Sequence, residues 1–180
     1  MSLTPKRPSE SYTEMTQVVL PNDANPLGFI LGGTVMHLID IAGAIACHRH
    51  TRSLLVTAAV DGLQFLNSIK VGDMIILQAT VTAAYKTSLE VEVKVCSEET
   101  LTGVRKLTSH AYLSFVAIDR EGGRREVPGL ILETQEEKTK ALEADARRAA
   151  RLVECCVPYP CSILSCRSVD ADDAFAPALR

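Results

Sequence analysis

The sequence predicts an α+β fold in which a curved antiparallel sheet wraps around one long buried helix, with a second helix on the C-terminal surface. Three patterns support this prediction. Residues 32–48 form a helical run that is apolar on nearly every side, as is typical of a buried helix. Between residues 54 and 119, apolar and polar residues alternate with the period of a strand. Residues 133–152 are rich in Ala, Glu, Lys and Arg, which favour an exposed helix.

Turn-forming residues and changes of period mark the ends of the strands. A turn-rich segment, residues 21–28, separates a first strand from the long helix. Polar connections divide the region after the helix into four further strands. The five strands are predicted over residues 12–20, 54–66, 74–85, 89–96 and 104–119.

Two of these strands predict which side chains share a face. In the strand over residues 89–96, four apolar residues alternate with Glu90, Glu92 and Lys94, which predicts one buried face and one face in water. In the strand over residues 54–66, alternation assigns three residues to each face. One face is predicted to hold Val56, Ala58 and Val60, and the other Thr57, Ala59 and Asp61.

Charge and hydropathy argue against two classes of partner. The chain holds 19 Lys and Arg against 22 Asp and Glu, a formal charge of −3, so we expect no nucleic acid partner. The longest apolar run is interrupted by Asp40 and followed by His48-Arg49-His50, so we expect no membrane span. Residues 1–14 lack the apolar segment of a signal peptide, which makes the cytoplasm the expected location.

The domain organisation follows from length and composition. Residues 11–152 are long enough for one domain with its own core and too short for two typical domains. Residues 1–10 are polar with two prolines and are expected to be disordered. Residues 153–180 contain prolines, cysteines and an acidic run, and we expect a disordered tail.

The cysteines and histidines near the helix are interpreted as structural. Cys47 lies in the apolar helix and Cys96 at the end of a strand, where a free thiol behaves as a small apolar side chain. His48 and His50 are interpreted as cations stabilised by the dipole at the end of the helix. The remaining cysteines have no paired C-x-x-C knuckle and no following histidine, so we favour reduced or adventitiously oxidised thiols over a metal site: Cys155, Cys156, Cys161 and Cys166.

Asp40 is the first indication of function. It sits in the middle of the apolar helix, and a carboxylate taken out of water is costly unless a partner compensates for the lost hydration. The helix begins at Gly32-Gly33, and the first amides of a helix have no partner inside it, so another group can approach them. From the residues alone, two interpretations of Asp40 remain open: a functional acid, or an acid that only bonds a nearby backbone group.

Several segments occur in a specific order along residues 12–152. They are Asp23-Ala24-Asn25-Pro26-Leu27-Gly28, Gly32-Gly33-Thr34-Val35-Met36, Leu38-Ile39-Asp40-Ile41-Ala42-Gly43, Arg49-His50, Val56-Thr57-Ala58-Ala59-Val60-Asp61 with Phe65, and Thr87-Ser88-Leu89-Glu90-Val91-Glu92-Val93. As an ordered set, these segments resemble the acyl-CoA thioesterases of the hotdog fold, and among them the cytosolic long-chain acyl-CoA hydrolase group.

The resemblance implies a homodimer in which two helices and two sheets pair, commonly assembled further into a trimer of dimers. It implies active sites at the subunit interface, where an Asn before the helix and an acid within the helix act from opposite subunits. Asn25 and Asp40 occupy those positions here. One position departs from the pattern, because Leu31 stands before the glycine pair where His or Phe is frequent.

The implied reaction is hydrolysis of acyl-CoA to a free fatty acid and CoA, and no cofactor or metal is expected. Asp40 acts in it as the general base that activates water, or as a nucleophile that forms a mixed anhydride. The amides at the helix start suit the oxyanion, with Gly33 N–H as the first candidate and Gly32 beside the substrate. Asn25 orients the water or binds the oxyanion, unless it only caps its turn.

The anionic nucleotide end of CoA requires basic and hydroxyl groups near the interface. Lys86-Thr87-Ser88, in a predicted hairpin turn, are the candidates for this role, together with Arg49 or Arg52 after the helix. An ordinary polar turn is the alternative interpretation. His37 is interpreted as a core or interface histidine rather than a catalytic one.

Two other functions are compatible with the same fold. A hydratase for unsaturated acyl thioesters usually relies on a His paired with an acid, and no His lies in the turn that holds Asn25. A module that only binds acyl-CoA needs the pocket without a functional base, whereas Asp40 is present. Neither the acyl chain length nor the choice among dimer, tetramer and hexamer follows from the residues.

Overall fold

The computed structural model describes residues 3–155. Its elements are β1 (Thr13–Val18), α1 (Gly32–Thr51), β2 (Leu54–Phe65), β3 (Met74–Ala84), β4 (Ser88–Glu98), β5 (Arg105–Ile118) and α2 (Gln135–Cys155). The five strands form one antiparallel sheet in the order β1-β3-β4-β5-β2. The predicted fold class and element order are confirmed, with element ends moved by a few residues. Most of the predicted tail, with Cys156, Cys161 and Cys166, lies outside the described residues.

Helix α1 lies across the inner face of the sheet, and the two form the core. Its buried apolar residues recur every three or four positions, as packing on one side requires. They are Val35, Leu38, Ile39, Ala42, Ala46 and Cys47. Gly43 faces the sheet where the two layers come closest, because an added Cβ would lie 3.1 Å from atoms of both Phe115 and Val91. A larger residue there would force the helix away from the sheet.

One side of α1 remains open in the protomer, which corrects the expectation of a helix buried all round. Met36 is 45% exposed, and His37 beside it is also exposed. Further along the same helix, Ile41, Ala44 and Ile45 are only half-buried. Apolar residues left uncovered along a helix are typical of a surface that meets another chain.

Helix α2 covers the outer face of the sheet, so the prediction that one face of β4 lies in water is wrong. Glu90 is fully buried and Glu92 is 5% exposed. The predicted alternation along β4 is present, but its charged face meets the charged face of α2 rather than solvent. Three cations on α2 pair with the acids of the sheet: Lys140, Arg147 and Arg151.

The Glu90 carboxylate is held by donors from two elements. Arg147 donates two hydrogen bonds to it, at 3.1 and 2.7 Å, and Thr82 Oγ1 donates a third at 3.0 Å. The Arg147 guanidinium also lies 3.5 Å from the centre of the Tyr112 ring. A buried carboxylate is tolerated only with such compensation, so Arg147 fixes α2 to the sheet.

A second acid on β4 is compensated in the same way. Burial alone would raise the pKa of Glu92, but hydrogen bonds from His110 and Lys140 outweigh burial and hold that pKa below its usual value. The corresponding distances are 2.8 Å from His110 Nε2 and 3.0 Å from Lys140 Nζ. Glu92 is therefore ionised, and it anchors the first half of α2.

Replacing Arg147 by Ala is expected to destabilise the protein by about 3 kcal/mol, because it removes the main partner of a buried carboxylate. Urea unfolding followed by circular dichroism measures the change. Arg148→Ala is the matched control, since Arg148 lies 4.4 Å from the Tyr85 ring centre and should contribute less than about 1 kcal/mol. Equal losses for the two variants would contradict the anchoring role of Arg147.

Residues 3–10 are ordered, which corrects the expectation of a disordered N-terminus. Lys6 forms a parallel β-bridge with Leu130. Its ammonium donates hydrogen bonds to the carbonyls of Arg49 and His50, at 3.0 and 2.6 Å. These carbonyls lie in the last turn of α1, where they have no partner inside the helix, so Lys6 closes the helix end.

His50 is a buried neutral side chain, so its interpretation as a cation at the helix end is wrong. Its Nε2 lies 2.8 Å from the carbonyl oxygen of Pro128, which places the ring proton on Nε2. Its Nδ1 is buried with no hydrogen-bond partner among residues 3–155. Burial lowers the pKa of His50, and the nearby ammonium of Lys6 acts in the same direction.

Because the pKa of His50 is lowered in the folded protein, the free energy of unfolding is expected to fall as the pH drops below about 6.5, the ordinary pKa of histidine. In this range the unfolded chain binds a proton at His50 while the folded protein resists it, so protonation favours the unfolded state. One such group contributes at most about 1.4 kcal/mol per pH unit. Urea unfolding at several pH values between about 5 and 7 measures the slope. His50→Gln should flatten it, and equal slopes for both proteins would contradict the assignment.

Candidate active site

Asp40 lies on the side of α1 that faces β2, at the edge of the sheet, and it is partly buried. The hydroxyl of Thr57 on β2 donates a hydrogen bond of 2.6 Å to Asp40 Oδ1. Asp40 Oδ2 makes no hydrogen bond with residues 3–155. The carboxylate is thus oriented through one oxygen, and the other has no hydrogen-bond partner among the described residues.

A β-bulge explains why Thr57 reaches the helix. The register of β2 against β5 shifts between Thr57 and Ala59, which leaves Ala58 as an extra residue. Thr57 contacts α1 on the inner face of the sheet, whereas Asp61 pairs with Arg151 of α2 on the outer face. The prediction that Thr57, Ala59 and Asp61 share a face is wrong, because an inserted residue interrupts the two-residue period.

The first turn of α1 has no cap. Leu31 occupies the N-cap position, where its side chain makes no hydrogen bond, and no acidic residue stands in the first turn. The amides of Gly32, Gly33 and Thr34 have no hydrogen-bond partner among residues 3–155. Gly33 is exposed, and an added Cβ would meet no atom within 4 Å. Free amides at the positive end of a helix dipole form a site for an anion or an oxyanion.

Asn25 shapes the turn that leads to this helix start. Its Oδ1 accepts hydrogen bonds from the amides of Leu27 and Phe29, at 3.0 and 3.2 Å. Its Nδ2 makes no hydrogen bond with residues 3–155. The side chain therefore holds its own loop through the oxygen and keeps its N–H group for another partner.

These groups lie too far apart in one protomer to act on one substrate. Seven residues of helix separate Gly33 from Asp40, a rise of about 10 Å along the axis. A reacting carbonyl needs both its oxyanion donor and its catalytic acid within about 3 Å. Strand β2 runs antiparallel beside this stretch of helix, with Thr57 at Asp40 and the ring of Phe65 against Gly32. The two halves of the site thus lie along one edge of the protomer.

The hairpin Lys86-Thr87-Ser88 lies towards the other end of α1 from Asn25. Ser88 pairs with Val116, and Val116 pairs with Val56, the neighbour of Thr57. Two strand spacings therefore separate this hairpin from the part of β2 that contacts Asp40. The predicted substrate-binding hairpin is nearer to Asp40 than to the start of the helix.

A cavity of about 760 Å³ lies beyond the C-terminal end of α1 and carries several basic side chains. Its ionisable lining consists of His48, Arg52, Arg120 and Arg125, with the acids Asp119 and Glu121. The wall is connected to the hairpin, because Val127 N–H donates a hydrogen bond of 3.0 Å to the Lys86 carbonyl. Leu54, which also lines the cavity, is three residues from Thr57, about 10 Å along β2.

The structure thus groups the predicted residues into three places. Asp40 lies with Thr57, Asn25 with the two glycines at the helix start, and Lys86-Thr87-Ser88 beside the basic cavity. Thr57 is the residue to which sequence reasoning assigned no role, since a β-branched residue is the expected type in a strand. Within residues 3–155, His, Cys, Asp and Glu side chains form no cluster of three or more that could hold a metal ion. No helix in the described part of the chain is long and apolar enough to span a membrane.

Comparison with known proteins gives consistent relatives. Residues 27–104 match the model of the thioesterase superfamily. An uncharacterised acyl-CoA thioester hydrolase of Bacillus subtilis is 39% identical over 128 residues, which are 71% of this chain and 74% of that protein. The human cytosolic acyl coenzyme A thioester hydrolase is 31% identical over 145 residues, 79% of this chain. The chain spans only 38% of the length of that human relative.

Solved structures share the fold. A hexameric acyl-CoA thioesterase without ligand matches with a TM-score of 0.81 and 38% identity, over 86% of this chain and 99% of that one. The acyl-CoA hydrolase of Staphylococcus aureus in complex with butyryl coenzyme A and coenzyme A matches with a TM-score of 0.76 and 36% identity, over 83% and 94%. That hydrolase has also been solved with an asparagine, an aspartate and a threonine each replaced by alanine, at positions separated by 15 and 17 residues.

Proposed function

The chain belongs to the thioesterase superfamily, as an acyl-CoA thioester hydrolase of the hotdog fold, and we propose that it acts through Asp40 at a site completed by a second copy. The enzyme hydrolyses acyl-CoA. One observation carries the proposed mechanism: a carboxylate held through one oxygen by Thr57, at an edge that the protomer leaves uncovered. The expected products are a free fatty acid and CoA, and no cofactor takes part.

In this mechanism Asp40 is the general base. Thr57 holds Oδ1, and Oδ2 accepts a proton from a water molecule while the water oxygen attacks the thioester carbon. When the tetrahedral intermediate collapses, the carbon–sulfur bond breaks and the proton passes to the sulfur of CoA. In the covalent alternative, Oδ2 attacks the carbon directly, the carbon–sulfur bond breaks, and CoA leaves as a thiolate that takes a proton from water. Water then hydrolyses the resulting mixed anhydride, which releases the fatty acid and regenerates the Asp40 carboxylate. An acyl-enzyme trapped with hydroxylamine would favour that alternative.

The oxyanion of the intermediate binds at the start of the partner's α1. Gly33 N–H is the main donor, and Gly32 lets the substrate approach closely, because neither residue has a side chain in the way. The missing cap supports this role, since a capping side chain would occupy the amides that the oxyanion needs. Leu31 at the N-cap position is therefore consistent with a helix start kept free for substrate.

Asn25 supplies a further polar contact from the same loop. Its Nδ2 is a free donor that can orient the water or contact the oxyanion, while Oδ1 keeps the turn in shape. The spacing within the chain supports a joint role, because 15 residues separate Asn25 from Asp40 and 17 separate Asp40 from Thr57. The three alanine variants of the Staphylococcus aureus hydrolase show the same two spacings for the same residue types.

A homodimer completes the site. Strand β2 is an edge of the sheet, and it exposes Leu54, Val60 and Phe65 beside the open side of α1. A second copy across this edge, with its helix antiparallel, brings its Gly33 to Asp40 and its own Asp40 to Gly33. Each dimer then has two equal sites related by a two-fold axis. Assembly into a trimer of dimers is proposed because a similar solved thioesterase is hexameric.

The nucleotide half of CoA is placed at the basic end of the protomer. The pantetheine arm separates the thioester from the phosphates, and the arginine cavity lies about 10 Å along β2 from the Asp40–Thr57 pair. Arg52 and Lys86 carry the positive charge on the two sides of this region, and the Thr87 and Ser88 hydroxyls add donors. We place the enzyme in the cytoplasm, as the name of the human relative suggests.

Lys86→Ala is expected to raise KM for acyl-CoA about tenfold with little change in kcat, because a phosphate contact binds substrate and transition state equally. Initial rates of thiol release measure both constants. Lys106→Ala is the control, since Lys106 is an exposed lysine on β5 away from this hairpin. A change confined to kcat would contradict the proposed phosphate contact.

Thiol release from acyl-CoA substrates of graded chain length tests the function itself. Release of CoA from saturated acyl-CoA is the expected result, with a length optimum that reports the size of the acyl tunnel. Loss of absorbance of an enoyl-CoA without thiol release would instead indicate a hydratase. Saturable binding with neither reaction would indicate a binding module.

A further inference from the structure

Residues 125–128, which we call the connector, link the two sides of the region proposed for the nucleotide half of CoA. Arg125 at the start of the connector lines the basic cavity, and its N–H donates a hydrogen bond of 2.9 Å to the Ala117 carbonyl. Two residues later, Val127 N–H donates a hydrogen bond of 3.0 Å to the carbonyl of Lys86 in the hairpin. One short segment therefore sets the positions of the cavity wall and of the hairpin relative to each other.

His50 fixes the connector to the end of α1. Its Nε2–H donates a hydrogen bond of 2.8 Å to the carbonyl of Pro128, and both residues are buried. The proline ring restricts its own φ and the conformation of the residue before it, so a contact at Pro128 also constrains Val127. Val127 is 8% exposed and belongs to the core. A displacement of Pro128 would therefore be passed through Val127 to the hairpin.

The surroundings of the His50 ring accept only its neutral form. Nδ1 is buried with no hydrogen-bond partner among residues 3–155, so a proton there would create a buried, charged N–H without an acceptor. The ammonium of Lys6, which donates a hydrogen bond of 2.6 Å to the His50 carbonyl, would also repel the protonated ring. Burial lowers the pKa of His50 and Lys6 acts in the same direction, while the Pro128 carbonyl and the Glu10 carboxylate oppose them.

We propose that His50 is a positioning residue for CoA binding: through the connector it holds the hairpin and the basic cavity at the spacing that the phosphates require. The inference rests on the proposed place of the nucleotide half of CoA. A neutral imidazole supplies the donor that the Pro128 carbonyl needs without burying a charge. The protonated ring has to bring Nδ1 to water or to an acceptor, and this movement breaks the hydrogen bond to Pro128. Acid therefore weakens CoA binding through His50.

Two substitutions separate the hydrogen bond from the bulk of the ring. His50→Leu is apolar and has no donor, and at about pH 7.5 it should raise KM for acyl-CoA about fivefold with kcat within about twofold of wild type. His50→Gln keeps an N–H donor for the Pro128 carbonyl, so its KM should stay within about twofold of wild type. Initial rates of thiol release measure both constants, at a temperature where thermal unfolding shows that each variant is folded.

The pH dependence of KM is a readout that a packing role alone would not change. Between about pH 7.5 and 5.5, KM should rise about threefold more in the wild type than in His50→Gln, because only the imidazole takes up a proton. Protonation of the CoA phosphates affects both proteins equally. His110→Gln is the matched control, since His110 bonds through Nε2 to Glu92 at 2.8 Å on the outer face of the sheet. Its KM should follow that of the wild type at every pH.

The remaining outcomes overturn the inference. An unchanged KM in His50→Leu, an equal rise in His50→Leu and His50→Gln, or a loss confined to kcat would show that the hydrogen bond to Pro128 does not position the site. If His50→Leu does not fold, the wild type and His50→Gln still decide, because an equal pH dependence of KM contradicts the inference. Lys86→Ala distinguishes the two failures. If it raises KM and His50→Leu does not, only this inference fails, whereas an unchanged KM in both variants removes the proposed nucleotide site.

Discussion

Asp40→Asn is expected to lower kcat about a thousandfold, the size of effect typical of a lost general base. Asparagine has the shape of aspartate, and its oxygen still accepts the hydrogen bond that Thr57 donates at 2.6 Å. Asparagine cannot take a proton from water, so the water that attacks the thioester carbon is no longer activated by a general base. KM should change little, because the proposed contacts with the nucleotide half of CoA lie away from Asp40. Thiol release under saturating acyl-CoA measures the loss.

Variants of Thr57 separate the chemistry of Asp40 from its orientation. Thr57→Ser keeps the hydroxyl and should stay within about threefold of the wild-type rate, whereas Thr57→Val loses the hydrogen bond and should cost about tenfold. Unchanged thermal unfolding of Asp40→Asn would show that the loss is catalytic. Wild-type turnover by Asp40→Asn would make the acid a structural group and remove it from the mechanism.

The parts of the fold that could be predicted depend on local patterns. An apolar run with helical period predicts α1 whatever it packs against, and Asp40 stands out because a carboxylate in such a run is costly in any fold. Thr57 does not stand out in the sequence, because its contact with Asp40 depends on the extra residue Ala58 in β2. A bulge is decided by how two strands pair across the sheet, and the sequence of one strand does not contain that information.

The outer face of the sheet shows a second limit of local patterns. Glu90 and Glu92 predicted a face in water, and the charges of α2 predicted an exposed helix, yet the two charged surfaces cover each other. Each charged pattern by itself indicates a surface exposed to solvent. Only the opposite charges of the two surfaces indicate that they contact each other. The interpretation of His50 as a cation fails for a similar reason, because the residues that bury it, among them Pro128, are distant in sequence.

Two inactive variants are expected to restore activity when they are combined in one dimer. Asn25→Asp keeps the oxygen that holds the turn and removes the Nδ2 donor, and it should be about a hundredfold slower than wild type. When it is co-expressed with Asp40→Asn in equal amounts, half of the dimers are mixed. One of the two sites in each mixed dimer then has a native Asn25 from one copy and a native Asp40 from the other. Thiol release should recover to about a quarter of the wild-type rate.

A chain that carries both substitutions gives the opposite and decisive control. When this doubly substituted chain is combined with an equal amount of wild type, both active sites of every mixed dimer are inactivated, because each site lacks either Asn25 or Asp40. Activity should fall to about a quarter of that of an all-wild-type preparation, whereas sites contained within one protomer would leave about half. The 10 Å of helix between Gly33 and Asp40 is the physical reason to expect a quarter, since one protomer cannot bring both groups to one carbonyl. Recovery in the first mixture and half-activity in the second are incompatible, so the two experiments together decide whether the site is shared.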